Sequence, residues 1–281
     1  MKNLLLVLML LFLAIPAWAE EVTKSSAYDR VMKTQTIRCG YRSFKPWIYR
    51  DLETGKMVGP TVEIMEEIAK QLSMKLEWIE KTDGDTLTTE LSSKKIDVAC
   101  PIMWSDLMRD EQMVYTTPLF YTSIHMYVRQ GDKRFRGKVE EDINRHDIKI
   151  AVQEGEVSAN VAERYFPNAQ IVTLPQSSSG NELLLSVTTE KADATLVEAT
   201  YIKDFNKGKK IRVEQVSLQH PVSGYGNTLA VEMHETELKE MLDKAVIHLL
   251  HSGKTSEIVE RFNREYPASI HQPSPHALTS R

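Results

Sequence analysis

The sequence predicts an α/β fold built as two similar halves, and three observations carry that prediction. Apolar strand-like runs alternate with amphipathic helical stretches between residues 36 and 100, and the same alternation recurs between residues 149 and 197. An extended segment follows each half and suits a crossing between them. Strand, helix, strand, helix, strand is the pattern of a parallel sheet with helices packed on its faces. The halves share this architecture without a residue-level repeat.

In chain order, residues 20 to about 34 are polar and patternless and read as a leader. Thr36 to Tyr41 (TIRCGY) is a β-type run. It feeds a loop in which Phe44, Trp47 and Tyr49 crowd around Pro46, which excludes a helix there, while Gly55 marks a turn. After Gly59-Pro60, Ile64, Met65, Ile68 and Leu72 recur at helical spacing with Glu63, Glu66, Glu67 and Lys70 opposite. KLEWIE (75–80) is the second strand, 85–94 a second helix, and Asp97 to Cys100 a third strand.

Ser123 to Arg129 (SIHMYVR) alternates and reads as the first crossing strand. KIAVQEG (149–155) is a strand running into Gly155, with a helix over Val157 to Tyr165. Free backbone N–H groups and a positive dipole end there favour an anion. Gln170 to Leu174 is a strand, and Ser177 to Ser179 cap a helix carrying Leu183, Leu184 and Val187. The strand Ala194 to Val197 ends at Glu198. From Val213 an extended stretch with Gly224 and Gly226 makes the return crossing. Two helices, Glu235 to Leu250 and Thr255 to Tyr266, finish the ordered chain, and the tail 267–281 reads as disordered.

The stretch Asp97 to Tyr121 concentrates the chemistry. A short strand there opens into a loop holding Arg109, and ligands of open α/β sheets bind where loops leave the carboxyl ends of strands. The planar fork of arginine matches a carboxylate with two hydrogen bonds. Pairing of Arg109 with Asp106, Asp110 or Glu111 on the surface is the competing reading of the residues alone.

Composition narrows the function. A net charge of −4 and a pI near 6.1 give no footing for nucleic acid or an anionic membrane. The first 19 residues, one Lys, an apolar run and Ala17-Trp18-Ala19, have the form of a secretory signal peptide cleaved after Ala19. Its apolar stretch is shorter than the ~20 residues of a spanning helix. Removing 19 of 281 residues leaves 262, room for two domains.

Cys39 and Cys100 are the only two cysteines, and an exported chain meets an oxidising compartment in which they can pair. They stand on the first and third strands, which in a doubly wound sheet are often neighbours at about 4.8 Å, so a bridge is expected, with two buried thiols as the alternative. No metal site and no cofactor are expected, because neither cysteine has a ligand at metal spacing beside it.

The order and spacing of several motifs resemble the bacterial extracellular solute-binding proteins of family 3. The motifs are Phe44-x-Pro46-Trp47, the Gly55 to Gly59 turn, Lys95-Ile96-Asp97-Val98, Arg109 nine residues ahead of Pro118, Gln153-Glu154-Gly155, Ala192-Asp193-Ala194 and the closing HSGKTSEIVERFNREY. The resemblance spans Thr36 to Tyr266. It implies the two-lobe periplasmic binding protein fold (type II), with two crossing strands as hinge and ligand held between the lobes. Lobe 1 would combine 33–124 with 225–266, and lobe 2 would be 130–217.

The resemblance also implies roles: Arg109 for an α-carboxylate, Phe44 as an aromatic cover, and Glu198 as acceptor of an ammonium. Trp47, Trp104, Tyr41, Gly155 and Val157 complete the candidate binding set. Pro101, Ile102 and Trp104 replace the usual small hydroxyl residues, and Glu156 and Val157 stand where threonine is frequent, so donors to the carboxylate are lost. Tyr41 stands where some binders of basic amino acids carry an acid. The expected partners are a small solute and the permease of an ABC importer, with the chain itself a monomer. A dehydratase of the same fold acting on prephenate-like substrates, with Glu154, Glu156 or Glu198 as acid, is the enzymatic alternative, and a ligand-binding accessory to a sensor is a third.

Overall fold

The computed structural model describes residues 26–81, 86–104, 112–136, 139–216 and 223–266. The signal-peptide, Arg109 and tail expectations lie outside these residues, as does part of the return crossing. For Trp104 only the backbone is described.

The first half opens with helix α1 (Ala27–Thr34) and strand β1 (Thr36–Tyr41), followed by a small hairpin, β2 (Tyr49–Arg50) and β3 (Met57–Val58). Then come α2 (Pro60–Gln71), β4 (Lys75–Glu80), α3 (Thr86–Ser92), β5 (Val98–Trp104), β6 (Met113–Tyr115) and the long β7 (Phe120–Arg129). The second half holds α4 (Val139–Ile143), β8 (Lys149–Gln153), α5 (Val157–Tyr165), β9 (Gln170–Leu174), α6 (Gly180–Thr188), β10 (Ala194–Glu198), α7 (Thr200–Asn206) and β11 (Val213–Gln215). The chain returns through β12 (Ser223–Glu232) and closes with α8 (Thr236–His251) and α9 (Lys254–Glu265).

Among the described residues the strands form one ten-stranded sheet ordered β4-β1-β5-β12-β7-β10-β8-β9, with β6 on β12 and β11 on β7. Its two ends are parallel, β1 with β4 and β5 and β8 with β9 and β10, as the alternation of elements requires. The antiparallel pair β7 and β12 joins them, with Phe120 facing Asn227 and Ile124 facing Ser223. Buried side chains divide accordingly. The largest core of the first half draws on residues between 27 and 120 and between 229 and 259, and the second half holds one core of residues between 124 and 216 and another of residues between 127 and 213.

Residues 27–34, expected as patternless leader, form a capped helix. Ser26 Oγ accepts the Asp29 N–H at 2.9 Å, and the Glu235 carboxylate accepts the N–H groups of Ala27 (2.6 Å) and Tyr28 (3.1 Å). An anion at a helix N-terminus satisfies otherwise orphaned donors. Ala27 and Val31 are buried and Tyr28 packs against the core beside them, a stripe only one residue wide on a helix of eight. Helix α7, also outside the sequence reading, follows directly on Glu198.

Cys39 and Cys100 are joined as a disulfide with Cα atoms 5.6 Å apart. Parallel pairing of β1 with β5, Cys39 opposite Val98, brings them together.

Candidate functional site

The loop after β1 is held by its own backbone: Phe44 N–H donates to Ile48 O (2.7 Å) and Trp47 N–H to Phe44 O (2.8 Å). The fold seats Trp47 in the first core, stacked between Phe120 (centroids 5.8 Å) and Phe262 (4.9 Å), and Phe262 stacks in turn on Tyr266. Gly59 closes the wall behind it. At φ +126° a Cβ there would lie 2.0 Å from the Trp47 carbonyl oxygen, so the position requires glycine. Trp47 is thus fully buried, and its indole Nε1–H reaches across to the second half.

There it meets Glu198, the last residue of β10, whose Oε2 accepts from Trp47 Nε1 at 3.1 Å and from Thr200 Oγ1 at 3.4 Å. Glu198 is only 8% exposed. Burial pushes its carboxyl up to about 7, against the pull of the Trp47 and Thr200 hydrogen bonds, and the charge of Glu156 adds to the rise. Beside it Tyr201 on α7 faces Phe44, ring centroids 6.0 Å apart. Burial raises the Tyr201 hydroxyl, and the nearby Glu198 and Glu156 charges raise it further. Gly180, at the start of α6, lies against the Tyr201 ring, where a Cβ would come within 2.7 Å.

A second contact flanks the first. Lys203 on α7 pairs with Glu265 on α9 at 3.0 Å, and its Nζ sits 4.8 Å over the Tyr266 ring. Helix α7 and the β10 end therefore face the 44–47 loop and α9, with a buried carboxylate, two aromatic rings and an indole N–H at the junction. Such a mixture of apolar wall and few fixed polar groups suits a small polar ligand.

Of the residues singled out from sequence, the structure brings Phe44, Trp47 and Glu198 together. Gly155 (φ +72°) and Val157 lie at the β8–α5 turn, where Val157 packs on the second core and the neighbouring Glu156 acts on Glu198 through its charge. Tyr41 stands apart from this group. It is fully buried with Ile48 and Val62, edge-on to Trp78, and its hydroxyl donates to Glu80 at 3.1 Å. Thr200, Tyr201 and Lys203 were not read from the sequence, although Tyr201, Ile202 and Phe205 have the spacing of a short helix that could have revealed them.

A polar cavity of about 780 Å³ lies at the opposite end of β10, lined by Arg129, Asp132, Arg134, Asp193 and Arg212 among others. Part of its wall is paired: Asp132 and Asp193 each bond Arg134 at 2.7 Å. Among the described residues no group of three or more His, Cys, Asp or Glu is placed to hold a metal ion, and no helix is long and apolar enough to cross a membrane.

Residues 37–265 match the family described as bacterial extracellular solute-binding proteins, family 3. A "Probable histidine-binding protein" of Campylobacter jejuni subsp. jejuni is 25% identical over 247 residues, 86% of this chain and 91% of that protein. A "Probable amino-acid ABC transporter-binding protein" of Haemophilus influenzae is 27% identical over 197 residues, 70% of this chain and 68% of that one. Among solved structures, an ancestral amino acid-binding protein described as a precursor of cyclohexadienyl dehydratase superposes with a TM-score of 0.67 at 23% identity, covering 84% of this chain and 99% of that one. That likeness establishes the two-lobe fold.

Proposed function

The chain belongs to the bacterial extracellular solute-binding proteins of family 3, and from that premise we propose that it captures a small solute carrying both a carboxylate and an amine and delivers it to an ABC importer. The observation that supports this most is Glu198, a nearly buried carboxylate at the junction of the lobes, fixed by Trp47 from the opposite side and walled by Phe44 and Tyr201. A cation entering there gains a charge-assisted hydrogen bond and an aromatic surface. Arg109 is assigned the carboxylate, at the other end of the ligand. Lobe 1 is taken as 33–124 with 225–266 and lobe 2 as 130–217, in keeping with the division of the cores. Residues 1–19 are taken as the signal peptide that sends the chain to the periplasm. The names of the relatives above, histidine-binding and amino-acid transporter-binding, favour an amino-acid-like solute.

The experiment is a thermal-shift screen of amino acids, amines and small organic acids, followed by calorimetric titration of wild type, Glu198→Gln, Arg109→Lys and Arg109→Ala. A ligand at 100 times its dissociation constant stabilises by roughly 2.7 kcal/mol. Arg109→Ala should lose about 30-fold to several thousand-fold in affinity, and Lys should recover only part, because it keeps the charge but not the fork. Folded Arg109→Ala and Glu198→Gln proteins that both bind within about threefold of wild type would place the ligand elsewhere.

One observation favours a second reading. A carboxyl brought to about 7 can donate a proton at neutral pH, as a dehydratase acting on a prephenate-like substrate requires. Incubation of the chain with prephenate or arogenate, followed for product, separates the two: turnover abolished in Glu198→Gln would make it an enzyme.

A further inference from the structure

The two carboxylate oxygens of Glu198 are not equivalent. Trp47 Nε1 and Thr200 Oγ1 both donate to Oε2, and among the described residues no group donates to Oε1. Trp47 is not free to turn away, because its ring is held between Phe120 and Phe262 in the core of the opposite lobe. The Oε2 position is therefore occupied whenever the lobes meet as they do here.

A guanidinium reaches its full strength against a carboxylate through two parallel N–H···O bonds, one to each oxygen. A primary ammonium needs only one acceptor from the same group. We infer that Trp47 makes Glu198 a one-oxygen acceptor, and so restricts the cleft to ligands that present Glu198 with a primary or secondary ammonium rather than a guanidinium or amidinium. The inference rests on the reading that an amine meets Glu198, and Trp47 acts in it as a positioning residue, through the carboxylate. Thr200, donating to the same oxygen from the same lobe, reinforces the asymmetry.

The test uses pairs of acids that differ only in the cation: glycine and guanidinoacetate, L-alanine and N-amidino-L-alanine, 4-aminobutyrate and 4-guanidinobutyrate. Each is titrated calorimetrically into wild type, Trp47→Phe and Thr200→Val. In wild type the ammonium member of a binding pair should be about tenfold or more the tighter, the worth of one charge-assisted bond. The ratio should fall toward one in Trp47→Phe and move partway in Thr200→Val. A ratio unmoved by both substitutions, or a wild-type preference for guanidinium, overturns the inference. If Trp47→Phe proves too unstable to titrate, Thr200→Val, which leaves the lobe 1 core untouched, carries the test.

A second readout needs no ligand. The ¹⁵N-indole signal of Trp47, followed from pH 5 to 9, should move as Glu198 titrates and become static in Glu198→Gln, and a signal already static in wild type overturns the contact. A titrating indole with no binding by any ammonium or guanidinium acid would instead sink the amine-capture reading, and this inference with it. The two failures are thereby distinguished.

Discussion

Asp97 and Asp193 occupy equivalent places in the two halves of the molecule. Each stands immediately before a parallel strand, β5 or β10, and exchanges a backbone bond and a side-chain bond with another strand of its half. Asp97 N–H donates to Arg38 O (2.9 Å) while Arg38 N–H donates to Asp97 Oδ2 (2.7 Å), and Asp193 N–H donates to Lys149 O (2.8 Å) while Lys149 N–H donates to Asp193 Oδ2 (2.9 Å). Each is also gripped by an arginine from an upstream helical segment, Arg30 at 2.8 Å in the first half and Arg134 at 2.7 Å in the second.

The two should differ in what they contribute. Asp97 is 1% exposed and faces both Arg30 and Arg38, so Asp97→Ala leaves two part-buried guanidinium groups without their shared anion, at a cost of roughly 3 to 5 kcal/mol. Asp193 is less buried and its arginine keeps Asp132, so Asp193→Ala should cost at most about 2 kcal/mol. Urea unfolding of both variants measures this, and equal losses would refute the ranking.

Breaking the Cys39–Cys100 bridge should destabilise the first lobe. With a sequence separation of 61, the chain-entropy model assigns the bridge about 4 kcal/mol. The double substitution to serine should therefore lower the denaturation midpoint without moving the second lobe's amide-exchange protection. Unreduced, alkylated wild type carrying label on both cysteines would reject the bridge.

Stability should fall as pH rises through the window set by Glu198. Its ordinary value of 4.5 applies to the unfolded chain, and in the folded chain it stands at about 7. Between these values the folded state keeps a proton that the unfolded state has released. The contribution is full below about 4.5 and lost by about 7, on the order of 3 kcal/mol in all. Glu198→Gln should flatten the slope, as urea midpoints from pH 4.5 to 8 would reveal. Capture of an ammonium should run the other way, strengthening as pH rises through about 7 because the ionised carboxylate is the acceptor. Calorimetry near pH 7 in buffers of different ionisation enthalpy should register proton release, and identical heats would count against the shifted Glu198.

Lys203 should modulate closure weakly. Its ion pair with Glu265 is half-exposed, worth up to ~1 kcal/mol at most, and its approach to the Tyr266 ring adds a similar amount. Lys203→Ala should then weaken ligand binding by no more than about 30-fold, and high salt should shrink the difference. A loss of several hundred-fold would mean that Lys203 touches the ligand.

The repeating core was legible in the sequence because apolar periodicity is a local signal. Ile64, Met65 and Ile68 announce α2, and Ala194 to Val197 announce β10, without knowledge of what they pack against. Glu198 could be picked out by its place at a strand end. What it meets could not, since Trp47 lies 151 residues earlier and the bond depends on how two lobes face each other. The motifs around Asp97 and Asp193 were visible as text, yet their meaning sits in Arg30, Arg38, Arg134 and Lys149, brought near only by the sheet. Helix α1 was missed for a similar reason: Glu235, which caps it, is 208 positions away from Ala27.

The pairing of β7 with β12 limits how the lobes can move. Five residues of one strand face five of the other, from Phe120 opposite Asn227 to Ile124 opposite Ser223, and the amide of buried Asn227 bonds the buried Thr122 Oγ1 diagonally across them at 3.0 Å. Two separate tethers would let one lobe slide or swing in any direction, whereas a bonded ribbon resists shear along its length and yields mainly to flexing across its thin dimension. Any closing of the lobes would thereby follow a nearly one-dimensional path, one that would bring Glu198 back to the same indole.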